Sequence, residues 1–373
     1  MNTVFHENGR ILNADSKFTL RNEYNGMTVY SREEHLFRFY EGLFIEDVIG
    51  EGSCIGAKAV RKLMAENRHL LTRNVQSDNL FSACWLISGT CNLDCIYCFA
   101  ENKMPERRKK GSDDSGSGAA FCDEMETAKH LLSLKPMCIT LTGGEPTLNP
   151  KLGDILHYFK GKVSTILDTN GTTPQLIPLL PALKDAGTTL RVTVDILDEE
   201  ILRQVRPEYN SAGLSHQSQT EMLKKNMKAL GDAGIPFVVH TVLTKYNIGK
   251  LEDTAETLIR LGVKRWHFYP VDYSEKCKNF FGEIKVSRQE ACDYTDTLAE
   301  KYGKDLMITC PRNDLGFREC TVLMVDCRGN FLVDTIRHGT VSIGKDSCHP
   351  QKDEIMEKLN YERHKQAYLC NFW

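Results

Sequence analysis

The sequence contains no apolar run that approaches the roughly 20 residues needed to span a bilayer. It also has little net charge, because 47 Lys and Arg residues nearly balance 50 Asp and Glu residues and leave a formal net charge of -3. A chain without a basic field gives no reason to expect nucleic-acid binding. The first residues, MNTVFHENGR, lack the basic-then-apolar pattern of a secretion signal. We therefore expect a cytoplasmic protein that binds neither membranes nor nucleic acid.

Cysteine, by contrast, is abundant, with 14 residues in a chain of 373. In a reducing cytosol a cysteine cluster indicates metal binding or catalysis more often than disulfides. The stretch CNLDCIYCF places Cys91, Cys95 and Cys98 at spacings of four and three. Thiolates bind both zinc and iron–sulfur clusters, so the spacing alone leaves both open. A closed zinc site would need a fourth ligand, such as Cys84 or Cys122.

From residue 80 the sequence alternates apolar strands, glycine turns and amphipathic helices. This pattern favours a parallel sheet or barrel. Six such units fall short of an eight-fold barrel, so we predict an α/β fold built on a partial (β/α)6 TIM-like barrel over residues 76–275. The predicted strands are Cys84–Ser88, Met137–Thr142, Val163–Asp168, Leu190–Asp195, Phe237–Leu243 and Trp266–Tyr269.

The sequences before and after this region do not follow the alternation of strands and helices. KFTLRNEYNGMTVYS alternates around an Asn-Gly turn and predicts a β-hairpin, while EEHLFRFYEGL and GAKAVRKLMAENRHLL have the apolar spacing of helices. We predict a small winged-helix-like module over residues 1–75. Residues 276–373 are expected to form an α+β extension, with a hairpin in CTVLMVDCRGNFLVDT between helices in RQEACDYTDTLAEKYG and DEIMEKLNYERHKQAYL.

A second glycine turn, in CITLTGGEPTLNP, follows the next predicted strand. Gly143 and Gly144 would let a ligand approach the backbone closely, because glycine has no Cβ. The cysteine loop also leaves the carboxyl end of its strand, and that end of an α/β barrel builds the active site. The two loops are therefore predicted to converge at one mouth.

Cys91-x3-Cys95-x2-Cys98, with Tyr97 before the last cysteine, resembles the signature of the radical S-adenosylmethionine (radical SAM) superfamily. GGEP at 143–146 lies where that family has its GGEP motif, and LDTNG and RVTVDILDEE resemble its third and fourth strand motifs in the right order. The resemblance covers about residues 80–270. It implies that the cysteines hold a [4Fe–4S] cluster whose fourth iron is left for SAM. One electron would then cleave SAM to a 5'-deoxyadenosyl radical that abstracts hydrogen from an inert C–H bond, with flavodoxin or ferredoxin as the kind of electron donor required.

The resemblance also implies which residues contact SAM. Gly143-Gly144-Glu145 would line its methionine end, and Asn170 would lie near the ribose. Thr193 would keep a hydroxyl for the SAM carboxylate, and Tyr97 would lie near the adenine. Asn170 and Thr193 also have structural interpretations as turn or strand-end residues.

The flanks resemble parts of enzymes that modify ribosomal peptides. ADSKFTLRNEYNGMTVYSREEHLFRFYEGLFIEDVI resembles their peptide-recognition module, in which a leader peptide adds as a strand to the hairpin edge. A precursor peptide is the implied substrate, and the alternative is an extension that only covers the barrel. ECTVLMVDCRGNFLVDT resembles the start of a SPASM or twitch region, which carries extra clusters. Cys320 and Gly329 fit that pattern, but Asp334 stands where a cysteine is expected, so the auxiliary ligand set is incomplete.

Two further residues have competing interpretations. Cys310, in LMITCPRND, ends a predicted strand and could return a hydrogen atom to a substrate radical, or be a small buried hydrophobe. His240, in FVVHTVL, is interpreted as a core histidine. The sequence thus predicts a radical SAM peptide-modifying enzyme. A radical SAM enzyme acting on a cofactor precursor, sugar or nucleoside stays open, as does a non-enzymatic zinc-binding interaction protein.

Overall fold

The computed structural model describes residues 80–100, 123–209, 218–310 and 319–361, apart from gaps at 81, 135, 137, 236, 275, 336–338 and 344–347. It also describes His364 and the backbone of six strands between residues 3 and 49. None of the helices in these described parts is long and apolar enough to cross a membrane.

The amino-terminal strands form two antiparallel groups. A short pair is followed by a four-stranded sheet in chain order. The predicted hairpin around the Asn-Gly turn is confirmed, because its two strands pair from Phe18 with Arg32 to Tyr24 with Met27. The strands are β1 (Thr3–Phe5), β2 (Ile11–Asn13), β3 (Phe18–Tyr24), β4 (Met27–Arg32), β5 (His35–Tyr40) and β6 (Leu43–Ile49).

The helix predicted in EEHLFRFYEGL is wrong, because β5 occupies that stretch. β5 pairs with β4 on one side and with β6 on the other. Aromatic residues favour strands, and pairing on both edges outweighs an apolar spacing that also suits a helix. The second predicted helix of this region, GAKAVRKLMAENRHLL, lies outside the described residues.

The rest of the described chain is organised around one ten-stranded sheet. Its order is β13-β12-β11-β10-β9-β8-β7-β14-β15-β16, and neighbours from β13 to β14 are parallel. The two edge strands, β13 and β16, do not pair with each other, so the described sheet is open, as predicted. The strands are β7 (Ser82–Ser88), β8 (Cys138–Gly143), β9 (Ser164–Thr169), β10 (Thr189–Thr193), β11 (Phe237–Leu243), β12 (Arg265–Pro270), β13 (Met307–Thr309), β14 (Glu319–Val325), β15 (Phe331–Thr335) and β16 (Gly339–Ser342).

The helices connect these strands. Several begin at a side chain that caps the first turn. At the start of the helix Arg288–Tyr302, Ser287 and Glu290 form a reciprocal capping box. The helix Leu176–Ala186 is capped by Gly187, which has a φ of +65° that suits glycine. The helices are α1 (Glu124–Ser133), α2 (Leu152–Phe159), α3 (Leu176–Ala186), α4 (Glu199–Val205), α5 (Gln219–Asp232), α6 (Glu252–Arg260), α7 (Phe281–Ile284), α8 (Arg288–Tyr302) and α9 (Lys352–Lys358), with a 3-10 turn at Pro146–Leu148.

The two faces of the parallel sheet differ in chemistry. Leu141, Val192 and Val239, on adjacent strands, are fully buried in the main hydrophobic core, which also contains the apolar sides of the helices. Because side chains alternate along a strand, the next residues point to the opposite face. That inner face carries polar side chains, including Arg191 and His240, which are partly exposed. Such a sheet offers an apolar support on one side and a polar surface on the other.

The carboxyl-terminal extension continues the same sheet. β14 pairs in parallel with β7, with Leu323 opposite Ala83, and forms the predicted hairpin with β15. The first part of the last predicted helix is observed as α9, which ends at Lys358. The extension therefore adds strands beside the strand that leads into the cysteine loop.

Candidate active site

The cysteine loop follows β7 and is fixed by the segment after α4. Backbone hydrogen bonds join Asp94 N to Pro207 O at 2.7 Å, Ile96 N to Val205 O at 3.0 Å and Tyr209 N to Asn92 O at 2.9 Å. A bridge between Leu93 and Glu208 adds to this pairing. The loop that carries the thiols is therefore braced along its length rather than held only at its ends.

The three thiols lie close enough to influence one another. Cys91, Cys95 and Cys98 are partly buried and none of them is in a disulfide. Burial raises the pKa of Cys95 strongly; the guanidinium of Arg206 opposes this, and the neighbouring Cys98 and Cys91 reinforce it. A positive charge beside the thiols favours their thiolate form, which is the form that binds metal.

The described side chains bear on whether the cysteines hold a single ion or a cluster. Among the described residues, no three His, Cys, Asp or Glu side chains converge on one ion. A cluster puts each thiolate on its own iron, so its ligands are spread more widely than ligands of one tetrahedral zinc. Cys84, considered as a fourth zinc ligand, packs against the same small apolar cluster as Cys98. Cys122, the other candidate, lies outside the described residues.

The glycine turn after β8 packs directly on the cysteine loop. Gly144 N donates to Ser88 O and Glu145 N to Thr90 O, both at 2.7 Å. A Cβ on Gly144 would lie 2.0 Å from Thr90 O, and one on Gly143, whose φ is +126°, would lie 2.6 Å from Ser88 O. The predicted convergence of the two loops is confirmed. The glycines are required by contact between the loops themselves, whatever ligand they also admit.

Glu145 connects this turn to the end of β9. Its carboxylate is fully buried. Oε1 accepts hydrogen bonds from Thr147 N at 3.1 Å, Thr147 Oγ1 at 2.6 Å and Thr169 Oγ1 at 2.7 Å, while Oε2 accepts one from Asn170 N at 2.7 Å. Burial raises the pKa of Glu145, and these hydrogen bonds partly offset the effect. Glu145 thus fixes the position of Asn170 relative to the glycine turn.

Asn170 lies against the cysteine loop. Its Nδ2 donates to Asn92 Oδ1 at 2.8 Å and lies 3.7 Å from Cys91 Sγ. Its Oδ1 accepts from the backbone and hydroxyl of Thr172, at 2.8 and 2.7 Å. The turn interpretation of Asn170 is therefore observed, and its side chain lies beside Cys91; its contact with the ribose of SAM stays a prediction.

A buried arginine that the sequence patterns did not single out completes the site. Arg206, fully buried, donates from Nη1 to Thr193 O and from Nη2 to Asn170 O, each at 2.7 Å. Its Nε has no hydrogen-bond partner among the described atoms. No motif around Arg206 indicates this position, because Arg206 lies beyond the fourth-strand motif and reaches the site only when α4 folds back towards it. An incompletely satisfied cation thus lies between the predicted SAM contacts and Cys95.

The hydroxyl of Tyr97 is hydrogen-bonded to a carboxylate. Its hydroxyl donates to Asp195 Oδ2, and Asp195 Oδ1 accepts from Val242 N at 2.9 Å. Burial raises the pKa of both groups, and the Arg206 charge opposes the rise in each. The side chain that precedes Cys98 therefore anchors the cysteine loop to the end of β10.

Cys310 is placed apart from these residues. Thr309 bonds His267 on the inner face, so the side chain after it turns to the helix side of the sheet. Cys310 packs against the main core. Burial raises its pKa to about 12, and the adjacent Cys292 thiol of α8 adds to the rise. The structure brings the cysteine loop (Cys91, Cys95, Tyr97 and Cys98), the glycine turn Gly143-Gly144-Glu145, Asn170 and Thr193 together at one end of the sheet. Cys310 follows the edge strand β13 and packs against the main core, and its role as a hydrogen donor stays a prediction.

Comparison with known proteins gives a family match and distant relatives. Residues 85–258 match the family model described as the Radical SAM superfamily. A probable GTP 3',8-cyclase of Methanococcus aeolicus is 26% identical over 224 residues, which are 58% of this chain and 68% of that protein. The mycofactocin maturase MftC of Mycobacterium ulcerans is 25% identical over 181 residues, which are 48% of this chain and 44% of the maturase. The chain spans about half to two thirds of the length of such relatives.

Solved structures share the fold. SuiB of Streptococcus suis bound to S-adenosylmethionine superposes with a TM-score of 0.53 at 11% identity, over 88% of this chain and 84% of SuiB. SuiB has also been solved bound to the precursor peptide SuiA.

Proposed function

Residues 85–258 of this chain are a radical SAM domain, and on this premise we propose that the protein modifies a ribosomally made peptide at a C–H bond. The protein is a radical SAM enzyme, so the non-enzymatic zinc-binding interaction protein considered from the cysteines alone is wrong. Enzymes of this family bind a [4Fe–4S] cluster and SAM, which together supply one-electron cleavage of SAM and activation of a C–H bond.

In the proposed site, Cys91, Cys95 and Cys98 hold the cluster. Arg206 places its positive charge where thiolates and a carboxylate of the bound cofactor would gather. Asn170 and Thr193, tied together by the Arg206 guanidinium, present polar groups at the ends of β9 and β10. The observation that supports this assignment most strongly is the direct packing of the glycine turn on the cysteine loop.

The glycine turn and its neighbours also keep the site rigid. Glu145 and Asp195 are fully buried and each accepts hydrogen bonds from a neighbouring strand end. A fixed loop keeps the reacting groups in position, and positioning contributes a large part of enzymatic rate enhancement. An electron donor of the flavodoxin or ferredoxin type belongs to the proposal, because reductive cleavage of SAM requires a reductant.

A peptide substrate is supported by the flanks. The paired strands β3 to β6 give the amino-terminal region a sheet edge to which an extended peptide could add. We propose residues 1–75 as the recognition module and residues 276–373 as a twitch-like extension without a complete auxiliary cluster. Two similar proteins support this proposal: one is named a mycofactocin maturase, and SuiB has been solved bound to a precursor peptide.

A small-molecule substrate is the second candidate. It is favoured by the similarity to a probable GTP 3',8-cyclase, of which this chain covers 68%. The two candidates differ in what they require of the first 75 residues. A peptide enzyme uses them to hold the leader, whereas an enzyme for a small molecule needs them only as a cover.

Deleting residues 1–75 tests this difference. Uncoupled SAM cleavage should persist, while turnover of a full-length precursor peptide, to be sought among the neighbouring genes, should fall severely, because recognition adds effective concentration. As the matched control, the intact protein should turn over a leaderless precursor as poorly as the deleted protein turns over the full one. Equal turnover with and without the module would favour the covering extension or the small-molecule substrate.

A further inference from the structure

One positive charge lies on the buried side of the cysteine loop. Arg206 has no exposed surface, and arginine stays protonated in proteins. Its hydrogen bonds run from Nη1 to Thr193 O and from Nη2 to Asn170 O, so both acceptors are uncharged carbonyl groups. Within the described residues, Arg206 forms no ion pair with a carboxylate, and its Nε has no hydrogen-bond partner. The site therefore contains a full charge that no hydrogen-bonded anion neutralises.

The register of the cysteine loop places this charge beside Cys95. Residues 94–96 run antiparallel to residues 205–207: the first N–H of the loop segment donates to the last carbonyl of its partner at 2.7 Å, and the last N–H donates to the first carbonyl at 3.0 Å. The middle residues, Cys95 and Arg206, are therefore directly opposite each other. Side chains at opposite positions of an antiparallel pair lie on the same face, with Cβ atoms about 4.5–5.5 Å apart. The thiol of Cys95 and the guanidinium thus leave the backbone on the same side.

Asn170 connects the same charge to a second thiol. Its carbonyl accepts from Arg206 Nη2 at 2.7 Å, while its Nδ2 lies 3.7 Å from Cys91 Sγ. The effect of the charge is seen at Cys95, because burial raises the pKa of this thiol and the Arg206 guanidinium opposes the rise. Arg206 therefore lies beside the part of the loop that carries Cys91 and Cys95.

The buried carboxylates of the site do not pair with this cation. Glu145 and Asp195 are both fully buried. Glu145 accepts its hydrogen bonds from hydroxyl and backbone N–H groups, and Asp195 accepts from Tyr97 and from Val242 N. Asp195 is close enough for Arg206 to lower its pKa, against the rise that burial causes, but the two side chains share no hydrogen bond. The charge of Arg206 is thus directed at the cysteine loop by position, without an intervening carboxylate.

Reduction of a cluster at these cysteines changes the charge of the site. One electron from the donor enters and no proton follows, so a site with three thiolates becomes one unit more negative. A fixed positive charge in a medium of low dielectric stabilises the more negative state. Salt in the solvent screens a buried charge much less than an exposed one. A cation opposite Cys95 therefore favours acceptance of the electron that SAM cleavage consumes.

We propose that Arg206 sets the reduction potential of the cluster bound by Cys91, Cys95 and Cys98, and that its charge opposite Cys95 raises this potential. Because Arg206 has no exposed surface, it acts through Cys95 rather than by contact with SAM or substrate. It is therefore a positioning residue for the electron-transfer step and not a catalytic residue. This inference rests on the proposed cluster site and is independent of the substrate.

Three variants of the full chain test the proposal after anaerobic reconstitution. Arg206→Gln removes the charge, and Arg206→Lys keeps it while giving up the planar fork that contacts two carbonyls. The matched control is Arg203→Gln, which removes one positive charge from the same helix, where Arg203 is 39% exposed and paired with Glu199 at 2.7 Å. The midpoint potential is measured without SAM, by a redox titration that follows the electron paramagnetic resonance signal of the reduced cluster. Iron content and circular dichroism show which samples are folded and loaded.

Arg206→Gln should shift the reduction equilibrium about tenfold towards the oxidised cluster, which is about 59 mV more negative for a one-electron couple. Arg206→Lys and Arg203→Gln should keep the wild-type potential. A wild-type potential in loaded Arg206→Gln would refute the proposal, as would an equal fall in Arg206→Lys, since that variant retains the charge. If Arg206→Gln binds no iron, Arg206→Met replaces it, because Met removes the charge without burying a new polar group. The Arg206→Lys result decides against the charge in either case.

Binding of SAM to the same samples separates this role from direct contact with the cofactor. Weaker SAM binding by Arg206→Gln at an unchanged potential would make Arg206 a SAM-binding residue and overturn the proposal. Failure of the cluster site itself is recognised separately, because the wild type would then bind no iron and give no signal of a reduced cluster. A loaded wild type whose potential does not respond to the charge at residue 206 would refute this inference alone.

Discussion

Replacement of Gly144 by Ala tests whether contact between the two loops fixes the cysteines. The new Cβ would lie 2.0 Å from Thr90 O, 2.5 Å from Thr90 C and 3.2 Å from Cys91 Cβ. The first two are backbone atoms, so no side-chain rotation relieves the overlap, and the cysteine loop must move by about an ångström. Overpacking of this kind costs about 1–3 kcal/mol.

The same movement affects two hydrogen bonds. Gly144 N to Ser88 O and Glu145 N to Thr90 O, both 2.7 Å, join the loops at the clash. Losing either would add about 1 kcal/mol to the destabilisation. We expect Gly144→Ala to lower the free energy of unfolding by about 1–3 kcal/mol. We also expect it to reduce the amount of iron bound after anaerobic reconstitution.

Gly153→Ala is the matched control. Gly153 lies in α2, and a Cβ there would meet no atom within 4 Å. Alanine is favoured over glycine in a helix by about 1 kcal/mol, so this variant should be at least as stable as the wild type. Denaturant unfolding and iron content are measured for both variants. Wild-type stability and iron loading of Gly144→Ala would refute the argument that contact between the loops requires this glycine.

Two more predictions concern the cluster and acid stability. The triple change of Cys91, Cys95 and Cys98 to Ala should leave a soluble protein that cleaves no SAM. After reconstitution the wild type should bind about four irons and the triple variant almost none. If the triple variant bound four irons with matching sulfide, an auxiliary cluster would be present. Burial raises the pKa of Glu199, but hydrogen bonds from Thr220 N, Arg203 and their neighbours outweigh it and lower the pKa from 4.5 to about 2. Its stabilisation is therefore complete above pH 4.5 and lost as the pH falls towards 2. Unfolding curves of Glu199→Gln should show a smaller loss of stability across that interval than the wild type, and identical slopes would contradict this assignment.

The strands of the parallel sheet were predictable because their apolar residues are bounded by glycine turns. Phe237–Leu243 was predicted with its observed limits. β13, only three residues long, was anticipated from LMITC without its place beside β12. The pairing of β14 with β7 could not be predicted, since nothing in either sequence specifies a partner so distant along the chain.

The candidate site, like the sheet, was predictable from the sequence only in part. Local motifs identified the cysteine loop and the glycine turn, and the structure brings them together. Arg206 was missed because its role depends on the position of α4 in the folded chain, which places the guanidinium against Thr193 O and Asn170 O. His240 was interpreted as a core residue, but the pleat points it to the partly exposed inner face beside His267. Whether a strand side chain points to the core or to the inner face depends on which side of the sheet the helices cover, and the periodicity of the sequence alone does not show this.

The parallel pairing of β14 with β7 also affects the order in which the protein can be completed during synthesis. Leu323 is opposite Ala83, so 240 residues separate the partners. At about 5–20 residues per second, roughly 10–50 s of translation pass between them. Throughout that time the strand that supports the cysteine loop has one unpaired edge. Delivery of iron and sulfide to a loop with its full support must therefore wait until β14 has left the ribosome.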